Sequence, residues 1–139
     1  AVYPGVALKE AWAMMLREQI KALPVVDAQG AVLGIVTVAD FVRLASLDTH
    51  EGLGQRLRTL IRGRSGRPSR VKDIMSQQVQ VVDARQHVMD LVPVFSRGGH
   101  HHMPVVDAQA RLVGVITQSD LVRALALALP TGEAGTAAP

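Results

Sequence analysis

The chain of 139 residues has no cysteine at all, and aromatic residues make up only 3% of it. Without cysteine there is no disulfide scaffold, no thiolate zinc site and no cysteine nucleophile. With Trp12 as the single tryptophan, the core has to come from Val, Leu, Ile, Ala and Met. No apolar run approaches the roughly 20 residues that a membrane helix needs, and the opening AVYPGVALKEAW has neither the basic nor the apolar region of a signal peptide. The chain therefore reads as soluble. Enzyme motifs are missing too: there is no nucleophile elbow, no phosphate-binding P-loop and no carboxylate pair at a spacing that demands acid and base roles. The sequence points away from an enzyme.

What is present is a hydrophobic fraction of 48% against 19% charged residues, enough for a packed core. The net charge of +3 is unevenly spread, because Arg56, Arg58, Arg62, Arg64, Arg67, Arg70 and Lys72 lie in a stretch free of acids, while the remainder is mildly acidic. That stretch is either a solvated connection or a surface for anionic lipid, nucleic acid or ligand phosphates.

The dominant feature is an internal repeat. Residues 23–44, LPVVDAQGAVLGIVTVADFVRL, align without a gap on residues 103–124, MPVVDAQARLVGVITQSDLVRA, at an offset of 80, and 11 of the 22 pairs are identical. Upstream, Leu8, Ala11, Trp12, Met15 and Leu16 follow the spacing of a helix with one buried face, and Val88, Leu91, Val92 and Phe95 do the same around Pro93, which should kink or break that helix. The β-branched runs that follow predict two strands joined by turns at Asp27–Gly30 and Asp107–Ala110, then a second helix starting near Asp40 or Asp120. In the second repeat, Val79 and Val81 alternate with Gln78 and Gln80 as a half-buried strand should. The offset sets the counterpart of Val71 nine residues ahead of Ala1, so the first repeat is expected to lack its opening and the chain to be a fragment. The expected divisions are 1–48 for repeat one, 49–70 for a basic linker with a short helix, 71–128 for repeat two, and 129–139 for a disordered tail.

The motifs VKDIM, then PVVD, then GIVTVAD or GVITQSD, in order and in tandem, resemble a pair of CBS domains, the arrangement called a Bateman module. The resemblance implies an α+β (α/β) fold: two β-α-β-β-α units packed sheet to sheet about a pseudo-twofold axis. It further implies clefts that bind adenosine-containing ligands, and assembly into homodimers. IKALPVVD, LDTHEGLGQRLRTL and GHHHMPVVD are similar to the CBS pair of HPP-family membrane proteins, which implies transmembrane helices upstream and a cytoplasmic placement beneath an inner membrane.

Thr37 with Asp40, and Thr117 with Asp120, stand where a strand runs into a helix. Read from the residues, each is a capping box, with the hydroxyl accepting a first-turn N–H and the carboxylate near the positive helix end. Read through the resemblance, the Asp takes a ribose diol while the Thr and the free N–H groups hold a ribose or phosphate oxygen. The two roles are compatible. The resemblance also makes His101 and His102, with Lys21 in the first repeat, candidate phosphate contacts. The alternative is a set of partly exposed side chains at a strand start.

The backbone of Leu23 and Met103, with Ile74, Met75, Val79 and Val81, would line an apolar slot for a purine, although such a stripe is equally a core. His100 and His102 share a face in an extended segment, but no further metal ligands lie near them in sequence, and His50 and His87 would have to be brought in by the fold. No metal is expected. The leading function is regulatory sensing of AMP, ADP, ATP, NAD or S-adenosylmethionine in the cleft between repeats, passed on to an attached or partner domain. The alternatives are a ligand-free dimerisation scaffold and a basic linker that binds lipid or nucleic acid.

Overall fold

A computed structural model describes residues 1–49, 67–98 and 101–128, with the side chains of 47–49 left aside. The expected short helix of the linker, the tail, His50 and His100 lie outside the described residues. The chain divides into two compact units, Ala1–Val79 and Gln80–Pro139.

In the first unit, α1 (Leu8–Glu18) leads to β1 (Ala22–Val26), β2 (Val32–Thr37) and α2 (Val38–Thr49), and α3 (Val71–Ile74) returns to it. Leu8, Ala11 and Met15 bury one face of α1, as their spacing predicts, while Leu16, expected on that face, is exposed. The helix ends as Gln19 turns left-handed and its N–H returns to the last carbonyls. Strands β1 and β2 form an antiparallel hairpin in which Pro24 lies opposite Ile35 and Val25 opposite Gly34.

The turn is built by Asp27, whose Oδ1 accepts the N–H groups of Gln29 and Ala31 at 2.9 Å each, while Gly30 takes a left-handed φ of 85°. On the outer side of β1, Val2 pairs in parallel with Val25. On the outer side of β2, Ser76 pairs with Ile35. The core joins Val2, Leu8, Ala11, Met15, Leu23, Val25, Val36 and Val71. Trp12 sits at its margin, its ring 5.0 Å from that of Phe41.

In the second unit, β3 (Val82–Asp83) is followed by a 3-10 turn (Val88–Leu91), α4 (Val92–Arg97), β4 (His102–Val106), β5 (Leu112–Thr117) and α5 (Gln118–Ala128). Pro93 does break the helical run: a 3-10 turn precedes it, and the α-helix starts with Pro in its first turn, where a missing N–H is harmless. The hairpin repeats the first one in register, with Pro104 opposite Val115 and Val105 opposite Gly114. Asp107 makes the same turn as Asp27, except that Ala110 stands where the first repeat has Gly30 and is held at φ 61°. A left-handed alanine costs roughly 1–2 kcal/mol. The core comprises Val82, Leu91, Phe95, Met103 and Leu121.

One expectation needs correction. Residues 78–81 form no strand, and pairing starts only at Val82, because Val79 still belongs to the first unit and Val81 is exposed. The repeat in sequence begins at Val71, but packing divides the chain after Val79. The reason is local: Leu8, Val71 and Lys72 donate their N–H groups to the carbonyls of Ser69, Val6 and Pro4, and Val71 is fully buried in the first core. Among the described residues no helix is long and apolar enough to cross a membrane.

Candidate functional site

Each unit carries a strand-to-helix junction at which a Thr N–H donates to the Asp three residues on. In the second unit β5 ends at Thr117 and α5 begins at Gln118. The Thr117 N–H donates to Asp120 Oδ2 at 2.9 Å, and the Asp120 N–H donates to Thr117 Oγ1 at 3.1 Å, a reciprocal cap. The junction is closed from behind by the Gln118 N–H, which donates to the carbonyl of His101. Beside it the His101 ring Nδ1 meets Gln118 Oε1 at 3.1 Å.

The Thr117 N–H, and then the Thr117 hydroxyl, hold the Asp120 carboxyl below its ordinary value against the opposing effect of burial, and Arg123 and His102 add smaller pulls. A carboxylate offers about four acceptor positions. The bond from the Thr117 N–H goes to Oδ2.

The first unit starts from the same residues and ends differently. The Thr37 N–H and hydroxyl both donate to Asp40 Oδ2, at 2.8 and 3.1 Å, and the Arg43 guanidinium donates to Asp40 Oδ1. Both Asp40 oxygens thus accept bonds, and the residue is only 7% exposed. The Val38 N–H donates to the Lys21 carbonyl, the counterpart of the His101–Gln118 bond, but the Lys21 side chain is exposed. The Thr N–H to carboxylate bond thus holds in both units, but the expected hydroxyl cap forms only at Thr117, because the Thr37 hydroxyl donates to Asp40 instead.

The other candidates are distributed by the fold. His101 is exposed and His102 half-buried at the start of β4, close to Asp120. Leu23 and Met103 are 1% and 0% exposed, so their side chains are core and only their backbone can border a ligand. Ile74 and Met75 pack on the first unit's core, and Val79 also belongs to that unit. Val81 is exposed ahead of β3.

The sequence reading missed Arg43, although it stands in the repeated motif beside Arg123, and it missed Gln118, where the first repeat has Val38. Among the described residues no group of His, Asp and Glu is arranged to hold a metal ion.

The cap has a measurable consequence. A lowered carboxyl contributes stability that is fully present above its unfolded value of about 3.9 and is lost as pH falls through the folded value. The Asp120 carboxyl is therefore expected to titrate below 3.8 when followed by NMR. Thr117→Val is expected to move that midpoint up only part of the way, because the Thr117 N–H, the larger cause, remains. A midpoint at or above 3.8 in the parent chain would contradict the cap.

A family model described as the CBS domain matches residues 1–46 and 71–127. The chain is 26% identical over 140 residues to CBSX1, a chloroplastic CBS domain-containing protein of Arabidopsis thaliana, covering 88% of this chain and 57% of that protein. It is 26% identical over 114 residues to human 5'-AMP-activated protein kinase subunit gamma-3, covering 82% of this chain and 22% of the subunit. The chain thus spans little more than half of one relative and about a fifth of the other. Among solved structures, CBSX2 of Arabidopsis thaliana in complex with AMP is similar with a TM-score of 0.76 at 25% identity, over 92% of this chain and 87% of that one. With the family model matching both repeats, and with a hairpin capped by Thr-x-x-Asp in each unit, the chain belongs to the CBS-domain family.

Proposed function

We propose that the chain is a regulatory module that senses an adenosine-containing nucleotide, and that the Thr117–Asp120 junction is its principal ligand contact. The observation that carries this reading is the Asp120 carboxylate, kept ionised by the Thr117 N–H and hydroxyl at the start of an 11-residue helix. A ribose diol donates two hydrogen bonds, and such a carboxylate accepts them. Phosphate oxygens suit the free N–H groups of the helix start, with His101 and His102 at hand. AMP is the first ligand to try, because the similar structure of CBSX2 holds AMP. ADP, ATP, NAD and S-adenosylmethionine share the same ribose and follow it.

At the Thr37–Asp40 junction of the first unit, Arg43 has to leave Asp40 before a ribose can take its place, so we assign that junction the weaker affinity. The ligand acts by population shift, favouring whichever arrangement of the chain binds it better, and an attached domain or partner reads the change. The likeness to HPP-family proteins nominates a membrane domain for that role, with the module on its cytoplasmic side.

Titration calorimetry of the chain against AMP and the four other ligands tests the proposal. AMP is expected to bind, and Asp120→Ala to weaken it at least tenfold, since a charged hydrogen bond contributes about 1.5–3 kcal/mol. Absence of heat with every ligand would overturn it.

A second reading, a ligand-free homodimer scaffold, is favoured by Val42 and Val122, which are 80 residues apart and both exposed on their helices. It predicts that Asp120→Ala melts at the same temperature as the parent in excess AMP.

A further inference from the structure

Arg43 and Arg123 stand 80 residues apart at the same place in the repeat, three residues after Asp40 and Asp120. Their surroundings set them to different tasks. The Arg43 guanidinium donates to Asp40 Oδ1 and forms an ion pair with it, whereas Arg123 acts on Asp120 as one of the smaller charge–charge pulls. Asp40 is buried and Asp120 half-buried, so the first carboxylate is compensated by Thr37 and Arg43 while the second is also open to solvent.

The ion pair joins one exposed and one buried partner: the Arg43 side chain is 72% exposed and that of Asp40 6%. A guanidinium on a flexible, exposed stem has N–H donors on several sides and can turn from one anion to another without disturbing the core. Arg43 lies in the second turn of α2, and the Lys21 carbonyl accepts the N–H of Val38, the first residue of that helix. Lys21 is exposed, and its counterpart in the second unit is His101. The first junction therefore combines a lysine with an arginine where the second has an imidazole.

On the nucleotide reading, on which this inference rests, a ribose has to take the place of Arg43 at Asp40. A neutral nucleoside brings hydroxyl donors but leaves a buried carboxylate without its counter-charge, a strongly unfavourable exchange. A phosphorylated nucleoside reverses the balance. The freed guanidinium then meets a phosphate, whose oxygens suit its planar fork, and a new charge-assisted contact replaces the one lost.

We infer that Arg43 makes the first junction selective for the phosphorylated form of the nucleoside: it closes Asp40 to a neutral nucleoside and opens when the ligand's own phosphate draws the guanidinium away. At the second junction, where Thr117 holds the carboxylate, nucleoside and nucleotide compete on more equal terms. The two halves of one chain then differ in ligand class. The second reads the nucleoside, and the first reads whether it carries phosphate.

NMR titration of the chain with AMP and with adenosine, read at the Thr37 and Thr117 amides that bond the two carboxylates, tests this. AMP is expected to shift both amides, and its affinity advantage over adenosine to be at least tenfold greater at Thr37 than at Thr117. Arg43→Ala, at an exposed position, is expected to fold normally and to raise the adenosine affinity read at Thr37 at least tenfold, with Thr117 unchanged. Arg43→Gln, which keeps a donor without the charge, is expected to follow it. An equal advantage of AMP at both amides, no gain in adenosine affinity in either variant, or AMP shifting Thr117 while Thr37 stays still would overturn the inference and leave the nucleotide reading standing. Neither ligand shifting either amide would overturn both.

Discussion

Truncating Leu23 to alanine is expected to remove about 3 kcal/mol from the stability of the first unit, within the roughly 2–5 kcal/mol range for buried Leu→Ala changes. Leu23 is 1% exposed and lies in a core with Met15, Val25, Val36 and Val71. Its strand is buried along all five residues, from Ala22 to Val26, and is bonded to a neighbour on each side, so the walls of the cavity have little freedom to collapse. Trp12, the only tryptophan of the chain, belongs to the first unit and stacks near Phe41, so its fluorescence follows unfolding of that unit. In a unit of this size about 1 kcal/mol corresponds to roughly 4–8 °C in Tm, so the fluorescence transition should fall by more than about 10 °C. A loss below about 1 kcal/mol would mean that the side chain borders a solvent-filled slot instead of a packed core.

Gly34→Val should cost about 2–4 kcal/mol, through a different cause. The φ of Gly34 is not in the left-handed region, so the penalty comes from contact alone. Met75 has a flexible side chain that can yield, but the Ser76 oxygen, 2.7 Å from the new Cβ, is backbone and moves only if both bonds to Ile35 break. Overpacking costs roughly 1–3 kcal/mol and each lost hydrogen bond about 1 kcal/mol. The expected result is faster amide exchange at Ile35 and Ser76 together with a lower Trp12 melting transition. Parent-like exchange at both amides would show that the segment adjusts without releasing the strand.

Much of this architecture was legible before any coordinates. The hairpins, their Asp-led turns and the break at Pro93 follow from residue types with narrow conformational ranges. The second helices begin two residues ahead of Asp40 and Asp120, because each carboxylate caps from within the first turn.

Packing partners were less accessible. Val71 is part of the second repeat in sequence but completes the first core, since periodicity reports which face of a segment is apolar and not which neighbour covers it. Gln78 to Val81 carry a strand's alternation without a strand, because alternation has meaning only where a second strand supplies bonds. At the junctions Thr-x-x-Asp could be found by eye. That Arg43 bonds Asp40 while Arg123 only approaches Asp120 could not, since identical residues at identical spacing choose partners by their surroundings.

The prolines in the middle of β1 and β4 act as register locks. Pro24 and Pro104 have no N–H to give, and each sits at a pair that exchanges no bonds across its hairpin, so the missing donor costs nothing there. Sliding either hairpin by one residue would bring the proline to a bonding position, lose a ladder bond and turn the buried faces outward. Mispaired hairpins are thereby penalised during folding, before any helix has packed, and the same imino acid that weakens most central strands here narrows the search to one alignment.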